Sequence, residues 1–208
     1  MNILGVGAHF DDLELGCSGT LMKHIHNGDK VYMLTVTDSG YKNPSGKEVR
    51  TIEIARQEGQ SAAKIIGGEL ICLDYSTFMV PFNEELTKTL NNYIEDLEIE
   101  TVYSHWIGDV HRDHQAAGRC VLMAGRRVPR FLMYRSNFYD SDRQFSGNFY
   151  SDISDFMDLK LKVISSHKSE LERVRYQWLD FFKNQNSNDG QKIGVEYAEC
   201  FEVVRYLI

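Results

Sequence analysis

The chain has 208 residues, a formal net charge of -7, 42% hydrophobic and 25% charged residues. That balance excludes a disordered polymer and suits one packed domain spanning residues 1–208. The acidic excess removes the sequence-independent attraction to nucleic acid, and no apolar run reaches the roughly 20 residues of a membrane-spanning helix.

Residues 2–8, "NILGVGA", predict a buried strand, and "GTLMKHIHNGD" predicts a helix stopped at Asn27-Gly28. "KVYMLTVT" (30–37) is a second strand, followed by a polar loop over 38–50 that is long enough to suggest work at a site. A helix over 51–66 ends at Gly67-Gly68. Then come a strand "ELICLD", a helix "NEELTKTLNNYIEDLE", a strand "TVYSHW", a helix from about His114 to Gly125, and a strand "RFLMYR". Strands alternating with helices predict right-handed crossovers and a mostly parallel sheet, with a ligand crevice beyond the carboxyl ends of the strands. The last third reads differently. "SDISDFMDLKLKVISSH" and "SELERVRYQWLDFFKNQ" predict two helices, the second with Leu171, Val174, Trp178, Leu179 and Phe182 as a core stripe. "NQNSNDGQ" reads as a solvated loop, and "YAECFEVVRYLI" as a closing strand. The four cysteines are far apart with no CxxC pair. "MNILGVGAHFDD" lacks the basic segment of a signal peptide, so the expectation is reduced thiols in a cytoplasmic protein.

Chemistry concentrates in "AHFDD" (8–12) and "HRDH" (111–114), each placed after a predicted strand. Ionisable groups at the end of a core strand cost free energy unless something organises them. Two imidazoles and one carboxylate make an open site for a catalytic divalent ion, and a second carboxylate can take a proton from water. His9, Asp11, Asp12, His111, Asp113 and His114 supply such a set. "GVGAHF" begins like a dinucleotide-binding turn, but Phe10 stands where its third glycine belongs and acids follow.

"AHFDDLELGCSGTL" resembles the AHPDDExxGCGGTL signature of the LmbE-like, or PIG-L, metal-dependent N-deacetylases. "HRDHQAAGR" resembles that family's HPDHxAxGR. Fainter similarity runs through "VTDSG", "RQEGQSAAKIIGG", "SSHKSE" and "YAECF". The resemblance implies an α/β fold, a Rossmann-like three-layer sandwich with a mostly parallel central sheet, C-terminal helices and a closing strand. It implies one zinc ion per chain held by His9, Asp12 and His114, although other divalent ions also suit this donor set. Asp11 would be the general base, and a protonated His111 would stabilise the oxyanion, oriented by Asp113. Phe10, Leu13 and Arg112 depart from the signatures without removing a ligand or the base. An arginine expected three residues before Glu58 is absent, since Ala55 stands there.

The implied substrate is a small N-acetylated amino sugar or its nucleotide, lipid or glycoside conjugate, cleaved to a free amine and acetate. Arg50, Arg56, Tyr134 and Arg135 follow predicted strands or lie on the adjoining helix, and are candidates for substrate contacts. The alternatives are hydrolysis of a non-sugar amide and a non-catalytic sugar-binding protein of the same fold. Homo-oligomer formation stays open.

Overall fold

The run NILGVG forms strand β1 (Asn2–Gly7), hydrogen-bonded on both sides to parallel neighbours, which is why it carries an almost unbroken apolar sequence. The computed structural model describes all 208 residues, Met1–Ile208. After β1 the chain makes two short helices, α1 (Asp12–Gly16) and α2 (Ser18–His26), and returns as β2 (Lys30–Thr37). A small hairpin, β3 (Tyr41–Lys42) and β4 (Glu48–Arg50), precedes α3 (Ile52–Ile66) and β5 (Glu69–Tyr75). Then follow α4 (Glu84–Asp96), β6 (Thr101–His105), α5 (Arg112–Ala124) and β7 (Arg130–Tyr134). The chain ends with β8 (Phe149–Asp152), α6 (Met157–Ile164), α7 (Lys168–Arg173), α8 (Gln177–Ile193) and β9 (Ala198–Tyr206).

Seven strands form one sheet in the order β5-β2-β1-β6-β7-β9-β8. The first five are parallel, while β9 runs antiparallel to both β7 and β8. The chain steps outward from β1 to β2 and β5, then crosses back to β6 on the other side of β1. Loops leaving the carboxyl ends of β1 and β6 therefore part, and a crevice opens between them.

The pleat divides the core into two layers. Leu4, Val6, Leu34 and Val36 pack with Leu86, Leu90 and Val121 of α4 and α5. Ile3, Val31, Met33 and Tyr103 pack on the other face with Leu21, Ala62 and Val163 of α2, α3 and α6. Gly7 has a positional reason. A Cβ there would lie 3.2 Å from the Asp12 Cβ and 3.2 Å from the His9 carbonyl oxygen, so any side chain would push the His9–Asp12 turn off the strand end.

The alternating elements lie where the sequence places them, but α1 and β8 are additional, β8 taking Ser151 and Asp152 from the start of an expected helix, and three other segments differ. Residues 41–50 of the expected loop carry the β3–β4 hairpin. The second late helix is two, broken where Arg175 and Tyr176 take positive φ of 51° and 62°. The expected loop "NQNSNDGQ" is the body of α8. Its polarity hides buried partners: Asn186 donates to the Ala198 carbonyl at 2.9 Å, and buried Asp189 accepts from Lys192 at 2.7 Å. No helix is long and apolar enough to cross a membrane.

Candidate active site

At the carboxyl end of β1 the chain turns through His9, Phe10 and Asp11 into α1. Asp11 takes φ 145°, a conformation rare outside glycine and maintained only by its surroundings. Those surroundings are specific. The Asp12 carboxylate accepts from the His9 N–H at 2.7 Å, and Ser39 Oγ accepts from the Phe10 N–H at 2.8 Å. The Phe10 ring is buried against Gly59 of α3, where a Cβ would come within 2.4 Å of it. A proline at position 10 would lack the N–H that Ser39 receives, so Phe10 secures this turn by other contacts.

Two imidazole nitrogens and the two oxygens of one carboxylate converge beside the turn. His9 Nδ1 lies 3.4 Å from Asp12 Oδ2, His114 Nε2 lies 3.2 Å from Asp12 Oδ1, and the two nitrogens are 3.3 Å apart. The far side of each imidazole is fixed by a carboxylate: His9 Nε2 by Asp113 at 3.0 Å and His114 Nδ1 by Asp109 at 3.1 Å. With those nitrogens donating, the two lone pairs and the Asp12 carboxylate point at one another. That is repulsive until a proton or a cation sits among them. Ligand atoms around a tetrahedral ion with bonds of about 2.0–2.1 Å stand roughly 3.3–3.4 Å apart, so the donor set fits a zinc-sized ion.

Protons and a cation compete for this cluster. Burial works against a charged His9, but its bonds to Asp113 and Asp12 raise its pKa to about 9. Burial likewise opposes a charged His114, while Asp12 and Asp109 raise it to about 10. Burial pushes Asp12 up, yet His114 and His105 hold it well below the usual carboxylate range. His105 stacks on His114 at 4.1 Å, and its Nε2 faces both the Ala8 N–H and Asp12. Its donor atom falls within reach of Asp12 and His114 as well, but the Ala8 N–H already occupies it.

Asp11 stands next to this set without belonging to it. Burial and the neighbouring Asp12 charge raise its pKa to about 7, against the pull of the Arg50 guanidinium at 3.6 Å. His111 leans on the same centre, its ring 4.5 Å from that of His114. Its Nδ1 accepts from the Asp113 N–H at 3.2 Å, which leaves the proton on Nε2. Burial and the nearby His114 and His9 lower its pKa to about 4, so it is a neutral donor and not a charged one.

His9, Asp11, Asp12, His111 and His114 line one cavity of about 230 Å³ together with Arg50. The sequence profile described as PIG-L, GlcNAc-PI de-N-acetylase, matches residues 4–124, more than half of the chain. The chain belongs to the PIG-L family. Membership places it among hydrolases that remove acetyl groups from amides. The diacetylchitobiose deacetylase of Thermococcus kodakarensis is 28% identical over 97% of this chain and 82% of its own length. The N,N'-diacetylchitobiose deacetylase of Pyrococcus horikoshii superposes with a TM-score of 0.83 at 24% identity, covering 98% of this chain and 83% of that one. GalB, a 4-carboxy-2-hydroxymuconate hydratase of Pseudomonas putida, superposes with a TM-score of 0.80 at 17% identity, covering 100% of this chain and 97% of that one. At that identity the likeness is one of fold.

Against the PIG-L motifs several assignments change. Asp113 meets the His111 ring through its backbone N–H and not through its carboxylate. Its carboxylate is turned to His9 and also accepts from the Phe78 and Val80 N–H groups, because the start of α5 points that side chain back toward β1. Arg50 reaches the cavity, but Arg56 pairs with Asp74 at 2.6 Å outside it. Tyr134 is wholly buried, its hydroxyl donating to the Val6 carbonyl, and Arg135 faces Asp189 at 3.7 Å, so neither lines the cavity. The arginine missing from position 55 has a stand-in: Arg50 Nη2 donates to Glu58 at 2.8 Å from a different element. His167 accepts from that same guanidinium at 3.2 Å, one contact removed from Asp11.

Several neighbours are legible only in three dimensions. Asp109 fixes His114 and accepts from the His111 N–H at 2.7 Å and from Asn137 at 2.6 Å. Ser136 donates to Asp12 at 2.9 Å. Asp109 lies inside "GDVHRDH", and an acid five residues before His114 is the available signal. Ser136 and Asn137 lie in "YRSNFYDSD", which the sequence marks only as a loop after a strand.

Proposed function

We propose that residues 1–208 form one metal-dependent N-deacetylase domain that hydrolyses the acetamide of a small N-acetylated amino sugar or its conjugate. In this reading His9, Asp12 and His114 hold one divalent ion, with zinc favoured by two imidazoles and one carboxylate. The observation that carries it is the convergence of His9 Nδ1 and His114 Nε2, 3.3 Å apart, on the two oxygens of the Asp12 carboxylate at 3.4 and 3.2 Å, with an unligated acid of raised pKa beside them.

When bound there, a divalent ion lowers the pKa of water and polarises the acetamide carbonyl. Asp11 is placed to accept the proton of the attacking water, and its pKa of about 7 suits that task near neutrality. The water oxygen bonds to the carbonyl carbon, and the neutral His111 donates Nε2–H to the oxyanion that develops. The C–N bond then breaks, and Asp11 passes its proton to the departing nitrogen. Acetic acid, which gives up its remaining proton to solvent as acetate, and a free amine result, and the Asp11 carboxylate is restored. Arg50 holds Asp11 without reaching hydrogen-bond distance, so the acid stays basic. Asp113 and Asp109 keep the two imidazoles in the tautomers that face the ion.

The test is acetate release from a panel of N-acetyl sugars and non-sugar acetamides, with and without chelator, alongside the metal content of the protein as purified. Chelator-sensitive turnover of a sugar is expected, with about one ion per chain. Turnover that survives complete metal removal would end the proposal, and turnover confined to non-sugar amides would replace the substrate class.

A further inference from the structure

The cavity opens through a mouth walled by aromatic rings. Phe78 comes from the loop after β5, and Phe138 and Tyr139 come from the loop after β7. β5 and β7 lie on opposite sides of β1, so the rings flank the site from two directions. They are far more exposed than aromatic side chains serving only the core: 46% for Phe78, 37% for Phe138 and 61% for Tyr139. Phe78 is also held at φ 67°, a region that a bulky residue occupies only under constraint. The constraint is Asp113, which accepts the Phe78 N–H at 2.7 Å while orienting His9. The Phe78 ring rests 5.8 Å from that of His111.

Charge at the cavity walls supplies a second, independent observation. The cations there are two arginines, and both are engaged. Arg50 meets Glu58, Asp11, the Phe10 carbonyl and His167 through its two terminal nitrogens, and its remaining Nε–H is buried. Arg173 is clasped by Glu170, which also accepts from Tyr41. No lysine lines the cavity, whereas Asp11, Asp12 and Glu170 do. A phosphate or carboxylate on the substrate would meet Arg173, the half-exposed cation of the pair, only beside the Glu170 carboxylate that already neutralises it.

From these two observations we infer that the substrate is an uncharged N-acetyl sugar joined to an apolar or aromatic aglycone, which Phe78, Phe138 and Tyr139 select. This rests on the deacetylase reading above. The sugar's acetamide enters toward Asp11 and His111, and the aglycone lies between the rings at the mouth. An aromatic contact of this kind changes affinity by about tenfold.

The experiment uses the full-length metal-loaded protein and three probes: N-acetylglucosamine, its p-nitrophenyl β-glycoside and N-acetylglucosamine 1-phosphate. The glycoside should show kcat/KM about tenfold above the free sugar, and the 1-phosphate should fall below it. In the double variant Phe138→Ala, Tyr139→Ala the ratio of glycoside to free sugar should drop at least about fivefold, mainly through KM. The exchange Phe138→Tyr, Tyr139→Phe should keep the ratio. Faster turnover of the 1-phosphate than of the glycoside, or an unchanged ratio in the double alanine variant, overturns the inference. Binding to Asp11→Asn, followed by tryptophan fluorescence, separates this inference from the reading beneath it. Preferential binding of the glycoside by this variant, with no acetate released from any probe by the metal-loaded wild type, would sink the deacetylase reading and leave the aglycone site standing. Acetate release with no preference for the glycoside would do the reverse.

Discussion

Asp11 is where backbone strain, burial and charge meet. Its φ of 145° and its pKa of about 7 both cost stability, and the surrounding hydrogen bonds sustain them. The sign of the charge cost follows from the direction of the shift. A carboxyl whose folded pKa lies above its unfolded value of about 4 destabilises the fold only when ionised. That cost is absent below pH 4 and complete above about pH 7. Asp11→Asn should therefore raise the melting temperature by a few degrees at pH 8 in chelator, with the gain fading toward pH 4. The same variant should lose turnover by a factor of about a thousand or more while keeping its metal. In the wild type the acid limb of kcat/KM should lie between about pH 4 and pH 7, because the bound cation pulls Asp11 down from its metal-free value. Asp113 offers a separate check at this scale. Because it orients His9, Asp113→Asn should weaken metal binding about 10–100-fold in a competition titration. If Asp113 instead served His111, metal affinity would be unchanged and only kcat would fall.

Between elements, the least replaceable contact is the buried carboxylate of Glu199 on β9. It accepts from the Gly19 and Thr20 N–H groups at the start of α2, and from Lys160 of α6 at 2.6 Å, with both charged side chains fully buried. One residue thus ties the antiparallel end of the sheet to α2, the second helix after the His9–Asp12 turn. Removing one partner of a buried pair costs about 3–5 kcal/mol because the other charge remains desolvated. Glu199→Gln should lower the melting temperature by about 10 °C in a chain of this size. Metal affinity measured well below that temperature should fall much less, since His9 and Asp12 sit at the turn between β1 and α1 and His114 on α5, away from Glu199. The α8 segment shows how element identity escapes local composition. "NQNSNDGQ" has the makeup of a loop, but Asn186 and Asp189 find partners on β9 and within their own helix.

For the molecule as a whole, the site joins residues about a hundred positions apart, so metal and fold are linked. An ion that binds only the folded chain stabilises it by about 4 kcal/mol at a thousandfold excess over Kd. Chelation should therefore lower the melting temperature by about 10 °C, and restoring zinc should recover it. Metal uptake should tighten as pH rises from about 6 to 9, because His9 and His114 hold protons up to about 9 and about 10 and must release them to the solvent. Calorimetry in buffers of different ionisation enthalpy would count those protons. Absence of proton release at pH 7 would mean that the two imidazoles are not the ligands.

Taken alone, the sequence determined the alternation of strands and helices and the crevice beyond the strand ends. It also located two ionisable segments at those ends. These are local signals: apolar runs, glycine stops, and charged residues where burial would otherwise forbid them. The tertiary structure alone decided which partner each side chain meets. It turned Asp113 to His9 and brought Arg50 to Glu58. It also left Arg56 outside the cavity and buried Tyr134 in the core. Such choices depend on how helix starts, loops and strands from distant parts of the chain stack against one sheet. Hydrogen bonds and ion pairs act over about 3 Å, and no periodicity along the chain encodes a distance across it.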